Sequence, residues 1–105
     1  MISIDKIRRT IINEFLDEKS CDMFMLVLKE KWPAFKGDLK EKCTVEIVRD
    51  STEPWCMSAI LTFEHLDDFL LISDSAKEEI IPYRITLSPK TQTFSGVIEA
   101  KFEFM

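Results

Sequence analysis

The hydrophobic period of the chain changes once, near residue 43. Before that point apolar residues recur at three- and four-residue spacing, and after it they alternate. Ile4, Ile7, Ile11, Ile12, Phe15 and Leu16 fall on one stripe, with Lys6, Arg8, Arg9 and Glu14 off it and Ser3 or Asp5 placed as N-cap, so the first segment is expected to be an amphipathic helix of about three turns. A second helix is expected from Ser20, with Asp22 in its first turn, through Phe24, Val27, Leu28 and Lys31, until Pro33 forces Trp32 out of the helical region. The connector 33–42, PAFKGDLKEK, is expected to hold a short helical turn anchored by Phe35 and Leu39.

Beyond Cys43 the pattern predicts strands. Thr44–Arg49 alternates as one strand, and Trp55, Met57, Ala59, Leu61 and Phe63 share a face of the next, with turn chemistry in DSTEP between them. Phe69–Ile72 reads as a short third strand. Ile81, Tyr83, Ile85 and Leu87 read as one face of a fourth, whose Pro82 marks an edge or bulge. The last strand is expected to span residues 93–104, with Phe94, Gly96, Ile98, Ala100, Phe102 and Phe104 on one face, entered through a hairpin loop at SPKTQ. These elements predict an α+β fold: two N-terminal helices on one face of a four- to five-stranded antiparallel meander sheet. The chain is expected to be a single domain over 1–105, helical in 1–42 and sheet in 43–105. In such a meander Asp50 and Glu53 share an end with Asp74, Glu78 and Glu79, while Glu64, Asp67 and Asp68 lie at the other end beside Pro89 and Lys90.

Composition narrows the class. With 105 residues, 46% hydrophobic, eight Phe and only two Gly, the sequence suits a packed core and argues against disorder. No run of 18 apolar residues occurs, and charged residues interrupt the first twenty, so neither a membrane span nor a signal peptide is expected and the predicted location is the cytoplasm. Cys21, Cys43 and Cys56 are odd in number and widely spaced, which favours reduced thiols over disulfides or zinc. Net charge is −5, and it is uneven: residues 1–42 carry nine basic and eight acidic side chains, residues 43–105 five and eleven, giving +1 against −6. Nucleic-acid binding is therefore disfavoured.

The candidate chemistry is sparse. His65 is the sole imidazole, and no nucleophile motif surrounds Ser58, Ser75 or the thiols, so no enzyme activity is expected. DSAKEE lacks calcium-loop spacing, and with only Gly37 and Gly96 there is no phosphate loop, so neither metal nor cofactor is expected. What remains is an acidic surface suited to steering a basic protein partner. A short, acidic, single-domain α+β chain without catalytic signatures resembles the immunity proteins of bacterial contact-dependent and other polymorphic toxin systems. That resemblance implies stoichiometric docking on a cognate toxin domain, such as a nuclease. Its implied contact residues are Asp50, Glu53, Glu64, Asp67, Asp68, Asp74 and Glu78, with Trp55 or Tyr83 as aromatic anchors.

A second resemblance is to cystatin-like and nuclear-transport-factor-like domains. It implies a small ligand in a sheet–helix cavity lined by the 94–104 face, with Tyr83, Arg84 or His65 as polar contacts. The test between the two is whether Trp55, Met57 and Phe102 pack solidly against the helices, and the helical stripes favour a packed core. Pairing of the final strand with a second copy makes a monomer or a weak homodimer equally compatible with the sequence.

Overall fold

A computed structural model describes residues 6–105; the expected N-cap at Ser3 or Asp5 and the stripe position Ile4 lie outside them. The order of elements is β1 (Ile7–Glu14), α1 (Glu18–Lys31), β2 (Thr44–Arg49), β3 (Cys56–Phe63), α2 (Leu66–Glu79), α3 (Ile81–Leu87) and β4 (Lys90–Val97). The strands form one antiparallel sheet in the order β2-β3-β1-β4. Each half is thus a split βαβ unit: α1 carries the chain from β1 over β3 to β2, and α2 with α3 carries it from β3 over β1 to β4.

This corrects the expected architecture, which began with two helices and ran as a meander. The first element is the sheet's inner strand β1, paired with β3 and β4 on its two sides. Ile7, Thr10, Ile11 and Ile12 are β-branched, so their stiff side chains suit a pleated surface better than a helix. The run Phe69–Ile72 is helical, and so is Ile81–Leu87. In α2 the inward residues Phe69, Ile72 and Ala76, continued by Ile80, repeat at three and four. In α3 the partly buried positions are Ile81, Arg84 and Leu87, and Pro82 sits in the first turn, where its missing N–H costs nothing. Ser88 ends that helix in the left-handed region at φ 50°, and Pro89 follows it. The SPKTQ segment is therefore a helix-to-strand corner and not a hairpin loop, since β4 already starts at Lys90. The final strand stops at Val97, one backbone bond before Ile98 N–H reaches Lys6 O at 2.8 Å. Lys90 and Cys56 both pair with Glu14, so Pro89 and Lys90 lie at the Asp50–Glu53 end of the sheet, opposite to the expected end.

Other expectations hold. β2 matches Thr44–Arg49, β3 keeps Met57, Ala59, Leu61 and Phe63 on one buried face, and Phe35 and Leu39 of the connector pack on the core, although residues 35–42 form no helical turn. Helix α1 begins earlier than Ser20 because Asp17, in extended backbone, accepts the Ser20 N–H at 2.8 Å.

The core lies between the helices and one face of the sheet. Phe15, Cys21, Phe24, Leu28, Met57 and Ile80 form one cluster and Ala59, Leu61 and Ile72 another, with Trp32 and Ile47 packed against both. The opposite sheet face, which carries Ile12, Val48 and Phe94, has no helix over it, and these residues are 44%, 46% and 74% exposed. No helix among the described residues is long and apolar enough to cross a membrane.

Candidate functional site

Beneath the helices the core is incompletely filled. A cavity of about 180 Å³ has Arg9, Ile11 and Asn13 of β1 and Ala59 and Leu61 of β3 as its floor. Phe24, Leu28 and Trp32 wall it on one side, and Phe69, Ile72, Ser73, Ala76, Ile80, Ile81 and Arg84 on the other. Small side chains at Ala59, Ser73 and Ala76 stand where larger ones would close the space. Of the three residues whose packing was to decide between a filled core and a pocket, Met57 packs in the core, Trp55 is half-buried and Phe102 is exposed, and none of them lines this cavity.

The polar groups of this cavity are few. Asn13 is 2% exposed, its Nδ2 donates to Met57 Sδ at 3.5 Å, and its Oδ1 accepts from Thr91 Oγ1 at 2.7 Å, so both ends of the amide are fixed. Trp32 Nε1 is shielded from solvent with no acceptor. Arg9 donates to Ser95 Oγ at 3.2 Å and lies 5.4 Å from the Phe69 ring centroid. Burial, and then the charge of Arg9, hold the Arg84 guanidinium below its ordinary pKa. The lining has no carboxylate, imidazole or thiol, so it supplies hydrogen bonds, positive charge and an apolar wall, but no proton acceptor of its own.

The seven carboxylates expected to meet a protein partner are spread over the molecule. Asp50 builds its own turn, accepting the Thr52 N–H at 2.8 Å, the Thr52 hydroxyl at 2.9 Å and the Glu53 N–H at 2.9 Å. The backbone N–H groups of Glu53 and Thr52 hold its pKa low. Glu53 accepts from Cys56 Sγ at 3.8 Å, and that thiol is pushed up by burial first and by the neighbouring acids Glu14, Glu53 and Asp50 after it. Glu64 faces Lys6 at 4.0 Å. Asp67 is paired with Lys40 Nζ at 2.6 Å, which lowers its pKa. Asp68 is only 1% exposed and is turned inward, away from any partner. Asp74 and Glu78 are on α2, both exposed. Of the aromatic anchors, Trp55 is half-buried and Tyr83 is 45% exposed, with Lys31 Nζ 6.0 Å from its ring centroid.

Of the polar contacts anticipated for a cavity, Arg84 lines this one, whereas Tyr83 and His65 do not, and the floor is β1 and β3 in place of residues 94–104. Arg9 and Asn13 were missed because β1 was read as a helix; as a strand, its odd positions alternate inward as Ile7, Arg9, Ile11, Asn13. Apart from the cavity, Glu41, Glu64 and His65 each bring one ligand-type atom to within 4.8 Å of the others, a grouping hidden in the sequence because Glu41 comes from the connector.

No family model and no curated protein matches the chain. Solved structures of the same fold do. A dimeric ferredoxin-like protein from an uncultured marine organism is 11% identical with a TM-score of 0.68, over 93% of this chain and 99% of that one. A conserved protein from Bacteroides thetaiotaomicron, described as a possible oxidoreductase, is 14% identical with a TM-score of 0.64, over 91% and 100% of the two chains. A putative antibiotic biosynthesis monooxygenase from Bordetella bronchiseptica is 15% identical with a TM-score of 0.59, over 94% and 99%. The expectation of a non-enzyme, which rested on missing motifs, is overturned at the level of fold, because this architecture is shared with proteins described as a putative monooxygenase and a possible oxidoreductase. What the chain is similar to, in architecture, is the ferredoxin-like α+β fold.

Proposed function

We propose that this chain binds a small ring-shaped molecule in the sheet–helix cavity and oxidises it, working as a homodimer. The observation that carries the reading is the cavity itself: an apolar chamber of about 180 Å³ with a fixed amide and two guanidiniums on its lining. For scale, an engineered apolar cavity of about 150 Å³ holds benzene. A positively charged site stabilises a phenolate, and a phenolate is the electron-rich form that oxygen attacks. The balance needs no added reductant: a phenol with a free para carbon plus O₂ gives a quinone plus water. One oxygen atom enters the ring, and the other leaves with the hydroxyl hydrogen and the para hydrogen. The likeness to proteins described as putative monooxygenases supports this class of reaction.

The test is direct. Phenol and toluene should raise the melting temperature in a dose-dependent way, and Ala76→Phe, which fills the space, should abolish the shift while the variant stays folded by circular dichroism. Equal shifts in wild type and Ala76→Phe would place ring binding elsewhere. Oxygen uptake with phenols, read on an electrode, then tests turnover.

The dimer reading is supported by the uncovered sheet face and by the description of similar chains as dimeric. Ile12, Val48, Ile60 and Phe94 form an apolar stripe across its four strands. Phe94→Asp places a charge on that stripe without touching the core, so sedimentation should show a dimer for the wild type and a monomer for the variant. A wild-type monomer at micromolar concentration would remove this part of the proposal. Toxin docking is the lesser proposal, since its carboxylates divide between the two ends of the sheet and several are engaged in turns or ion pairs.

A further inference from the structure

Two guanidiniums share the cavity with no carboxylate to balance them. Arg9 comes from the inner strand β1 and Arg84 from α3, and both line the same space. Neither has an acidic partner among the described residues, which is also true of exposed lysines such as Lys29 and Lys77; what sets Arg9 and Arg84 apart is that they line one cavity together. Arg9 is held by a serine hydroxyl and a phenyl face, both neutral contacts that leave its charge uncancelled. The mutual repulsion is felt at Arg84, whose pKa is depressed by burial and by Arg9. Like charges held near one another repel, and an anion between them relieves the repulsion. Guanidinium forks match the two oxygens of a carboxylate, and the apolar walls beside them match a ring.

We infer that Arg9 and Arg84 together select an organic acid of one-ring size, its ring in the cavity under the helices and its carboxylate between the two guanidiniums. The inference rests on the cavity being a ligand site, as proposed above, and it adds the charge class of the ligand. Long arginine stems can also cover apolar surface while their heads stay in water, and that purely structural role predicts no preference for anions.

Calorimetry on the full chain with benzoate, benzamide and inorganic phosphate separates the possibilities. Benzoate should bind more tightly than benzamide, its neutral isostere, by about tenfold or more. Arg9→Gln and Arg84→Gln should each weaken benzoate by about tenfold and leave benzamide unchanged, while Arg84→Lys, which keeps the charge and loses the fork, should fall between. The wild-type comparison needs no variant, so it stands even if a substitution impairs folding. Benzamide binding as tightly as benzoate would overturn the selection of an acid while leaving the cavity as a ring site. Phosphate binding as tightly as benzoate would overturn the ring. Binding of none of the three, together with no melting shift from toluene, would overturn the inference and the cavity reading together.

Discussion

Replacing Phe24 by alanine is expected to lower the unfolding free energy by about 3–5 kcal/mol. Phe24 is 2% exposed, packs on Phe15 with ring centroids 5.3 Å apart, and belongs to the cluster that joins α1 to Met57 and Ile80. It also lines the cavity, so its removal does not leave an isolated hole that neighbours can collapse into. The new void merges with an existing space of about 180 Å³, and the floor of that space is strand, which cannot move inward without breaking its ladder. A domain of this size has roughly 5–15 kcal/mol in total, so the variant should unfold at a much lower urea midpoint with an unchanged slope. Toluene should then rescue the variant more than it stabilises the wild type, because a larger, mainly apolar cavity offers it more contact. A loss below about 1 kcal/mol would mean that α1 does not seat on the sheet through this ring.

The same packing explains what the sequence could reveal. Strands β2 and β3 were legible because one face is buried and the other open, which writes a clean period of two into Thr44–Arg49 and Cys56–Phe63. Helix α1 was legible from its apolar stripe, and its end lies just before Pro33, but Trp32 keeps helical backbone angles (φ −63°, ψ −45°) where the proline was expected to turn it extended. β1 was not, because Ile11 and Ile12 are adjacent and point to opposite faces, one toward the helices and one toward the uncovered face. An inner strand with both faces partly apolar loses its alternation, and Ile7, Ile11, Phe15 then reads as a helical stripe by accident. α2 failed for the converse reason. Leu70 and Leu71 are 49% and 42% exposed, so the run Phe-Leu-Leu-Ile contains two surface residues that imitate a buried strand.

The site inherits these errors. Once β1 is misassigned, Arg9 becomes a solvated helix charge and Asn13 an incidental polar residue, although as strand neighbours they define the polar side of the cavity floor. Arg84 is within reach of the sequence as a polar cavity contact, yet Arg9 lies 75 positions away along the chain. No spacing rule connects such a pair. Only the crossover that brings Arg84 of α3 to the cavity floored by Arg9 of β1 does so, and that crossover is a property of the β2-β3-β1-β4 order.

Asp67 and Asp68 show the same limit at one step of sequence, and Asp68→Ala is expected to cost about 2–4 kcal/mol. The sequence offers the two as surface acids of equal standing. Asp68 is 1% exposed in the first turn of α2, where one carboxylate oxygen accepts the Lys40 N–H at 2.8 Å and the other accepts the Glu41 N–H at 3.1 Å. It therefore supplies acceptors to connector backbone that no ladder reaches, and it ties that connector to the helix. Alanine leaves both N–H groups without a partner in a part-buried place, a penalty of roughly 1–3 kcal/mol each before relaxation. Asparagine keeps one acceptor but turns an NH₂ donor toward the second N–H, so Asp68→Asn should lie between alanine and wild type. Asp67 is the internal control: its partner is a lysine side chain in water, its own side chain is 66% exposed, and Asp67→Ala should leave the urea midpoint nearly unchanged. Hydrogen exchange at the amides of residues 40 and 41 should accelerate in Asp68→Ala and not in Asp67→Ala. Equal behaviour of the two variants would show that the connector is held by Phe35 and Leu39 alone, whose packing on the second core cluster would then have to position the whole segment between α1 and β2.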